Sequence, residues 1–214
     1  MQFRAVLITS LLLLPVLSTG ACLSGRGDTT FVRDDHATTT ASRSNSTKQS
    51  AGDGGAITEQ QVNAAQQAWC DGLVAVAQTH ARGGDAKAVA ATMIDNAYDY
   101  AEGRVFFKPT LALGPRTFRP TREGALAYFV GGNPNFPEDT GFALKGWKGA
   151  RYDNNAAENG IQIHGDLAIT MGNVYLTGPD GKEIMVDKTF VFRRCADGKL
   201  RLCVHKSALP YTPN

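Results

Sequence analysis

The chain has 214 residues, 43% of them hydrophobic and 20% charged, with a formal net charge of +2. That composition supports one folded domain of ordinary size with appendages and excludes a wholly disordered chain. Lys and Arg are scattered and nearly balanced by acids, which argues against a surface that tracks nucleic-acid phosphates.

The N-terminus reads "MQFRAVLITSLLLLPVLSTGAC". Arg4, an apolar run through Leu17 and the small residues Thr19, Gly20 and Ala21 have the layout of an export signal over residues 1–21, and the run is too short for a membrane span. A periplasmic or secreted protein is therefore expected. Cys22 directly follows the cleavage point, so a lipid anchor there is an option, although Thr19 stands where lipidation signals usually carry Leu. Residues 22–56 are rich in Ser, Thr, Asp and Gly and nearly lack large apolar side chains. They cannot offset the entropy of ordering and read as a flexible tether, His36 and its acidic neighbours included. The folded domain is expected over residues 57–214.

Thr58 and Gln61 have the spacing of a capping box, and Val62, Ala65, Trp69, Leu73 and Val76 follow at helical intervals. Asp85 starts a second expected helix with Val89, Met93, Ala97 and Tyr100 as its stripe and Gly103 as its end. "RVFFKPT" and "RTFRPT" read as short strands whose prolines suggest sheet edges, and "REGALAYFVGG" as a short helix closed by glycine. Strands are then expected in "FALKGWKGARYD", "GIQIHGD", "LAITMGNVYLTG", "KEIMVDKTFVFRR" and "KLRLCVHKSAL", with hairpin turns at "PDG" and Asp197-Gly198. This order predicts an α+β fold in which helices pack against one strongly curved antiparallel sheet, a cone whose mouth can hold a small ligand.

A two-residue turn at Asp197-Gly198 sets His205 opposite Phe190 and Cys203 opposite Phe192. One sheet face then carries Ile184, Val186, Phe190, Phe192, Cys203, His205 and Ser207, with the two phenylalanines as expected substrate-binding walls. The other carries Val191, Leu200, Leu202, Val204 and Lys206. Two apolar faces are more than a monomer with one wetted face needs, so the outer face is expected to meet a second subunit.

Cys70, Cys195 and Cys203 lie in the domain, and either one bridge or three buried thiols would fit. His80, His164 and His205 share no short ligand spacing with one another, with Cys or with carboxylates. The sequence thus gives no support for a zinc or manganese site, which would require the fold to gather distant ligands.

The blocks "FKPTLA", "EGALAYFVGGNPNFPEDTGFALKGW", "MGNVYLT", "VDKTF" and "VHKSALPY", in that order, resemble the iota-class carbonic anhydrases. These are relatives of the calmodulin-dependent kinase association domain within the nuclear transport factor 2-like cone fold. The resemblance implies reversible hydration of CO2 to bicarbonate, by a metal-free route in part of the family, and a homodimer is the default assembly for the fold. It places the family's pocket threonine at Thr110, its tyrosine at Tyr128, and the His and Ser of its C-terminal signature at His205 and Ser207. Lys206 and Ala208 depart from that signature, which has a second His and a second Ser, and strand alternation turns both away from His205. On this reading His205 is a base or proton relay, Tyr128 and Ser207 orient water, and Thr110 donates to a substrate oxygen. A ligand-binding cone without turnover and an assembly domain with a vestigial pocket are the alternatives.

Overall fold

The computed structural model of the chain describes residues 55–155 and 160–213, all within the compact unit Lys48–Asn214. The expected export signal, Cys22 and the tether up to residue 54 lie outside the described residues.

Helix α1 (Glu59–Ala81) starts where its local chemistry dictates. The Thr58 side chain accepts from the Gln61 amide while the Gln61 side chain accepts from the Thr58 amide, a complete capping box. Helix α2 (Ala86–Ala97) is capped by Asp85, whose carboxylate accepts from the Ala88 amide at 2.9 Å. It stops at Ala97 rather than Gly103. Tyr98 turns extended, at φ −119°, and bridges to Leu202, which draws its ring into the core. Strand β1 (Phe106–Lys108) and helix α3 (Arg122–Val130) follow, with Gly131 closing α3 at φ +66°.

"RTFRPT" does not form the expected strand. The buried Arg119 guanidinium donates to the carbonyls of Arg116 and Phe118 and to Asp139, which curls the segment back on itself. A single 3-10 turn, Phe142–Leu144, likewise replaces the first part of the strand expected at "FALKGWKGARYD". The strand proper is β2 (Gly149–Asp153), followed by β3 (Gly160–His164), β4 (Leu167–Thr177), β5 (Glu183–Arg194) and β6 (Leu200–Ala208).

The sheet order is β1-β6-β5-β4-β2, with β3 also paired to β4. β1 runs parallel to β6 and the other pairs are antiparallel. Strand β4 pairs with β3 through its first half and β2 through its second. The changeover falls at Gly172, where a Cβ would lie 2.2 Å from the Asp153 carbonyl oxygen, so only glycine fits.

Phe190 faces His205 as the hairpin count predicts, but a bulge between Val191 and Phe192 then sets Phe192 opposite Leu202 instead of Cys203. The extra β6 residue shifts the inward set by one. Leu202 is therefore buried, Cys203 leaves the pocket face, and Ile184 at the far end of β5 is exposed. Cys70, Cys195 and Cys203 are all free thiols, so no bridge joins them. The core lies between the helices and the inner sheet face, built on Trp69, Tyr98, Phe107, Phe129, Phe190 and Phe192. The α+β plan holds. Among the described residues no helix is long and apolar enough to cross a membrane.

Candidate active site

The parallel pairing of β1 with β6 sets the site. Phe107 lies beside His205 and Lys108 beside Lys206, so the chain leaving β1 runs toward the same end as β6. Thr110 and Ser207 consequently meet, with Oγ1 and Oγ 2.6 Å apart. Tyr128, on the buried side of α3, stacks on Phe142 with centroids 5.4 Å apart, and its hydroxyl accepts a long bond from the Leu111 amide at 3.4 Å. Thr110, Tyr128, Leu111, Thr140 and Phe142 line a cavity of about 370 Å³ that also reaches Asp139. One wall is braced by the bidentate pair of Arg119 with Asp139, at 2.9 and 2.7 Å, whose side chains are only 1% and 3% exposed.

His205 is buried behind this cavity rather than on its lining. Phe107 stacks on the imidazole at 4.5 Å and touches the Tyr128 ring edge-on at 5.7 Å, while Phe190 meets the imidazole edge-on at 4.6 Å. Both ring nitrogens are engaged. Nδ1 lies 2.8 Å from the Tyr98 hydroxyl and Nε2 lies 3.0 Å from Lys188 Nζ. The structure thus joins Thr110 to Ser207, sets Tyr128 beside them, and places His205 in an adjoining polar cluster with Phe190 as its wall. Phe192 goes elsewhere, lining an apolar groove between α1 and α2 with Val89 and Met93. Lys206 is exposed on the opposite face, as strand alternation predicts.

Lys188 is the member that the sequence reading passed over. It sits on the inward side of β5 between Val186 and Phe190, directly opposite Ser207, and is 2% exposed. The period-two reading of "VDKTF" carried the signal, since Val186, Lys188 and Phe190 must share a face. Lys188 Nζ lies 4.7 Å from the centre of the Trp69 ring.

Hydrogen-bond accounting leaves two arrangements for this cluster. The Trp69 indole N–H can only donate, and it donates to the Tyr98 hydroxyl oxygen at 2.9 Å. In one, Tyr98 gives its hydrogen to His205 Nδ1, the imidazole N–H lies on Nε2, and Lys188 accepts as a free amine. In the other, His205 Nδ1–H donates to the Tyr98 oxygen and Lys188 donates to Nε2.

Burial favours the neutral form of both basic groups. It lowers Lys188 to about 7, opposed by Cys70 and assisted by the charge of Lys108. Burial also takes His205 well below the usual imidazole range, with Lys188 adding to the shift. The Tyr98 and Tyr128 phenols are raised by burial, so both serve as hydrogen-bond donors at neutral pH rather than as phenolates. His80 and His164 are exposed, and among the described residues no group of three His, Cys, Asp or Glu could hold a metal ion.

A family model described as Metal-independent carbonic anhydrase matches residues 60–209. The chain belongs to that family. A curated metal-independent carbonic anhydrase from Nostoc sp. (strain PCC 7120) is 53% identical over 158 residues, covering 73% of this chain and 75% of the relative. Among solved structures, the iota-carbonic anhydrase from a cyanobacterium, complexed with bicarbonate, is 52% identical with a TM-score of 0.70, covering 74% of this chain and 95% of that one. The matched segment of this metal-independent carbonic anhydrase includes Thr110, Tyr128, Lys188, His205 and Ser207.

Proposed function

We propose that the chain catalyses the reversible hydration of CO2 to bicarbonate without a metal, with the reaction taking place where Thr110 and Ser207 meet at the wall of the Tyr128 cavity. The observation that carries this assignment is the 2.6 Å contact between those two hydroxyls. One hydrogen bridges the pair, which leaves the other hydroxyl's hydrogen for an oxygen of the substrate. Tyr128 accepts from the Leu111 amide, so its hydrogen is a second donor for the same ligand. Water bonds through an oxygen lone pair to the CO2 carbon, a C=O π pair moves onto oxygen, and the two donors meet the charge that develops there. His205, with both nitrogens already held, positions the inner end of the site behind Ser207.

Bicarbonate in the related crystal structure supports this substrate class. Exposed Phe106, Ile169 and Met171 on the outer sheet face support pairing with a second copy of the chain. The signal-like N-terminus supports export, to the periplasm or beyond the cell, with Cys22 as a lipid-attachment point if the anchor is used. The decisive test is hydration rate by stopped flow after exhaustive chelation. Retained activity, together with a loss of about 10²-fold in kcat for Thr110→Val or Ser207→Ala, is expected. Activity that vanishes on chelation and returns with zinc would overturn the metal-free mechanism.

A further inference from the structure

We propose that Lys108 is a positioning residue for the hydration step, its ammonium holding the Ser207 backbone so that the Ser207 hydroxyl stays against Thr110. The inference rests on the proposed CO2 chemistry at that hydroxyl pair and adds what fixes the pair in place. Lys108 Nζ donates to the Ser207 carbonyl at 3.0 Å. Thr110, whose Oγ1 lies 2.6 Å from Ser207 Oγ, follows Lys108 in the chain with only Pro109 between them. One residue therefore grips both halves of the contact, Thr110 through its backbone and Ser207 through its side chain.

The local chemistry explains why a side chain is needed there. Strand β1 stops at Lys108, while β6 continues through Ser207 to Ala208. Pro109 has no N–H, so it cannot donate to a neighbouring strand. The Ser207 carbonyl thus lies just past Lys108 and Lys206, the last registered pair of the parallel ladder, and the Lys108 ammonium supplies a donor at that point. Being charged, it bonds a carbonyl more strongly than a main-chain amide would. Two lysines directly opposite each other repel, and the charge of Lys206 does bear on Lys108. The bond to Ser207 offsets that cost for one of them. Lys206 donates no hydrogen bond among the described residues and is exposed, whereas Lys108 is half-buried.

The rate answers to this placement. CO2 is neutral, and charge develops on its oxygen only as the water oxygen bonds to carbon. Alignment of the Thr110 and Ser207 hydroxyls therefore bears on the transition state rather than on substrate binding. A displacement of about 1 Å in such a donor can cost about 10²-fold in rate. Without the Lys108 ammonium, the end of β6 keeps its pairing with β5 but loses its tie to the segment that carries Thr110.

The test is stopped-flow CO2 hydration by the purified full chain. Lys108→Met, which keeps the stem and removes the donor, should lower kcat by about 10- to 100-fold with KM for CO2 within about threefold. Lys108→Arg, charged and able to donate to a carbonyl, should recover kcat to within about threefold of the wild type. Lys206→Met, which removes the adjacent charge but no bond to Ser207, should keep kcat within about twofold. An unchanged kcat in Lys108→Met, an equal loss in Lys206→Met, or a Lys108→Arg variant as impaired as Lys108→Met would each overturn the assignment. If Lys108→Met does not fold, Lys108→Gln takes its place under the same criteria. Loss of activity in Ser207→Ala but not in Lys108→Met removes Lys108 alone, whereas full activity in both Ser207→Ala and Thr110→Val removes the proposed site itself.

Discussion

Arg119 aims Nε and Nη2 at Asp139 and Nη1 at the carbonyls of Arg116 and Phe118, all out of water. Removing one partner leaves a buried charge uncompensated, so Asp139→Ala should cost about 3–5 kcal/mol in urea unfolding. Arg116→Ala, which removes an exposed 3.7 Å pair with Glu138, should cost under about 1 kcal/mol in the same assay. Tyr98→Phe should destabilise by about 1–3 kcal/mol, because both the Trp69 indole and His205 Nδ1 lose their partner. Thr110, Tyr128, His205 and Ser207 were singled out through the family resemblance of the short motifs that carry them, and the structure brings Thr110 and Ser207 into contact. Lys188, Tyr98 and Arg119 were passed over. A lysine or arginine ordinarily sends its head to water, so the inward face position of Lys188 carried little weight alone, and only distant partners fix where Tyr98 and Arg119 go.

At the scale of elements, what was local was readable. The capping box at Thr58 fixed the start of α1, and Thr58→Ala should cost about 1 kcal/mol by thermal unfolding. The hairpin register held at Phe190 and His205 because the turn chemistry sets it. The bulge beyond Val191 was not readable, since it answers to the packing of Leu202 and Phe192 in the core rather than to turn residues. Gly172 likewise looked like an ordinary strand glycine until β2 and β3 were seen to share β4. A methyl group there collides with backbone, so Gly172→Ala should destabilise by about 2–3 kcal/mol and loosen β2 first, measurable by hydrogen exchange at Gly149–Asp153.

For the molecule as a whole, the buried lysine ties stability to pH. Its amine titrates near 7 when folded and near the ordinary 10.5 when unfolded. Between those values the unfolded chain binds the proton and the folded one does not, so this group makes stability rise with pH across that window. Urea midpoints at pH 7 and 9 should therefore increase in the wild type relative to Lys188→Met. The helix-backed sheet was legible as a plan from the order of patterned segments. The parallel seam between β1 and β6 was not, because nothing near Phe106–Lys108 announces a partner so late in the chain.

That seam has a consequence for biosynthesis. Thr110 cannot meet Ser207 until Leu200–Ala208 has been made, because β6 follows every other strand among the described residues. A nascent polypeptide stays chemically idle until that segment is out, and proteolytic loss of the segment should silence the enzyme abruptly instead of by degrees. Joining pieces so far apart also carries a loop-closure cost, though one that grows only slowly with the length of chain between them.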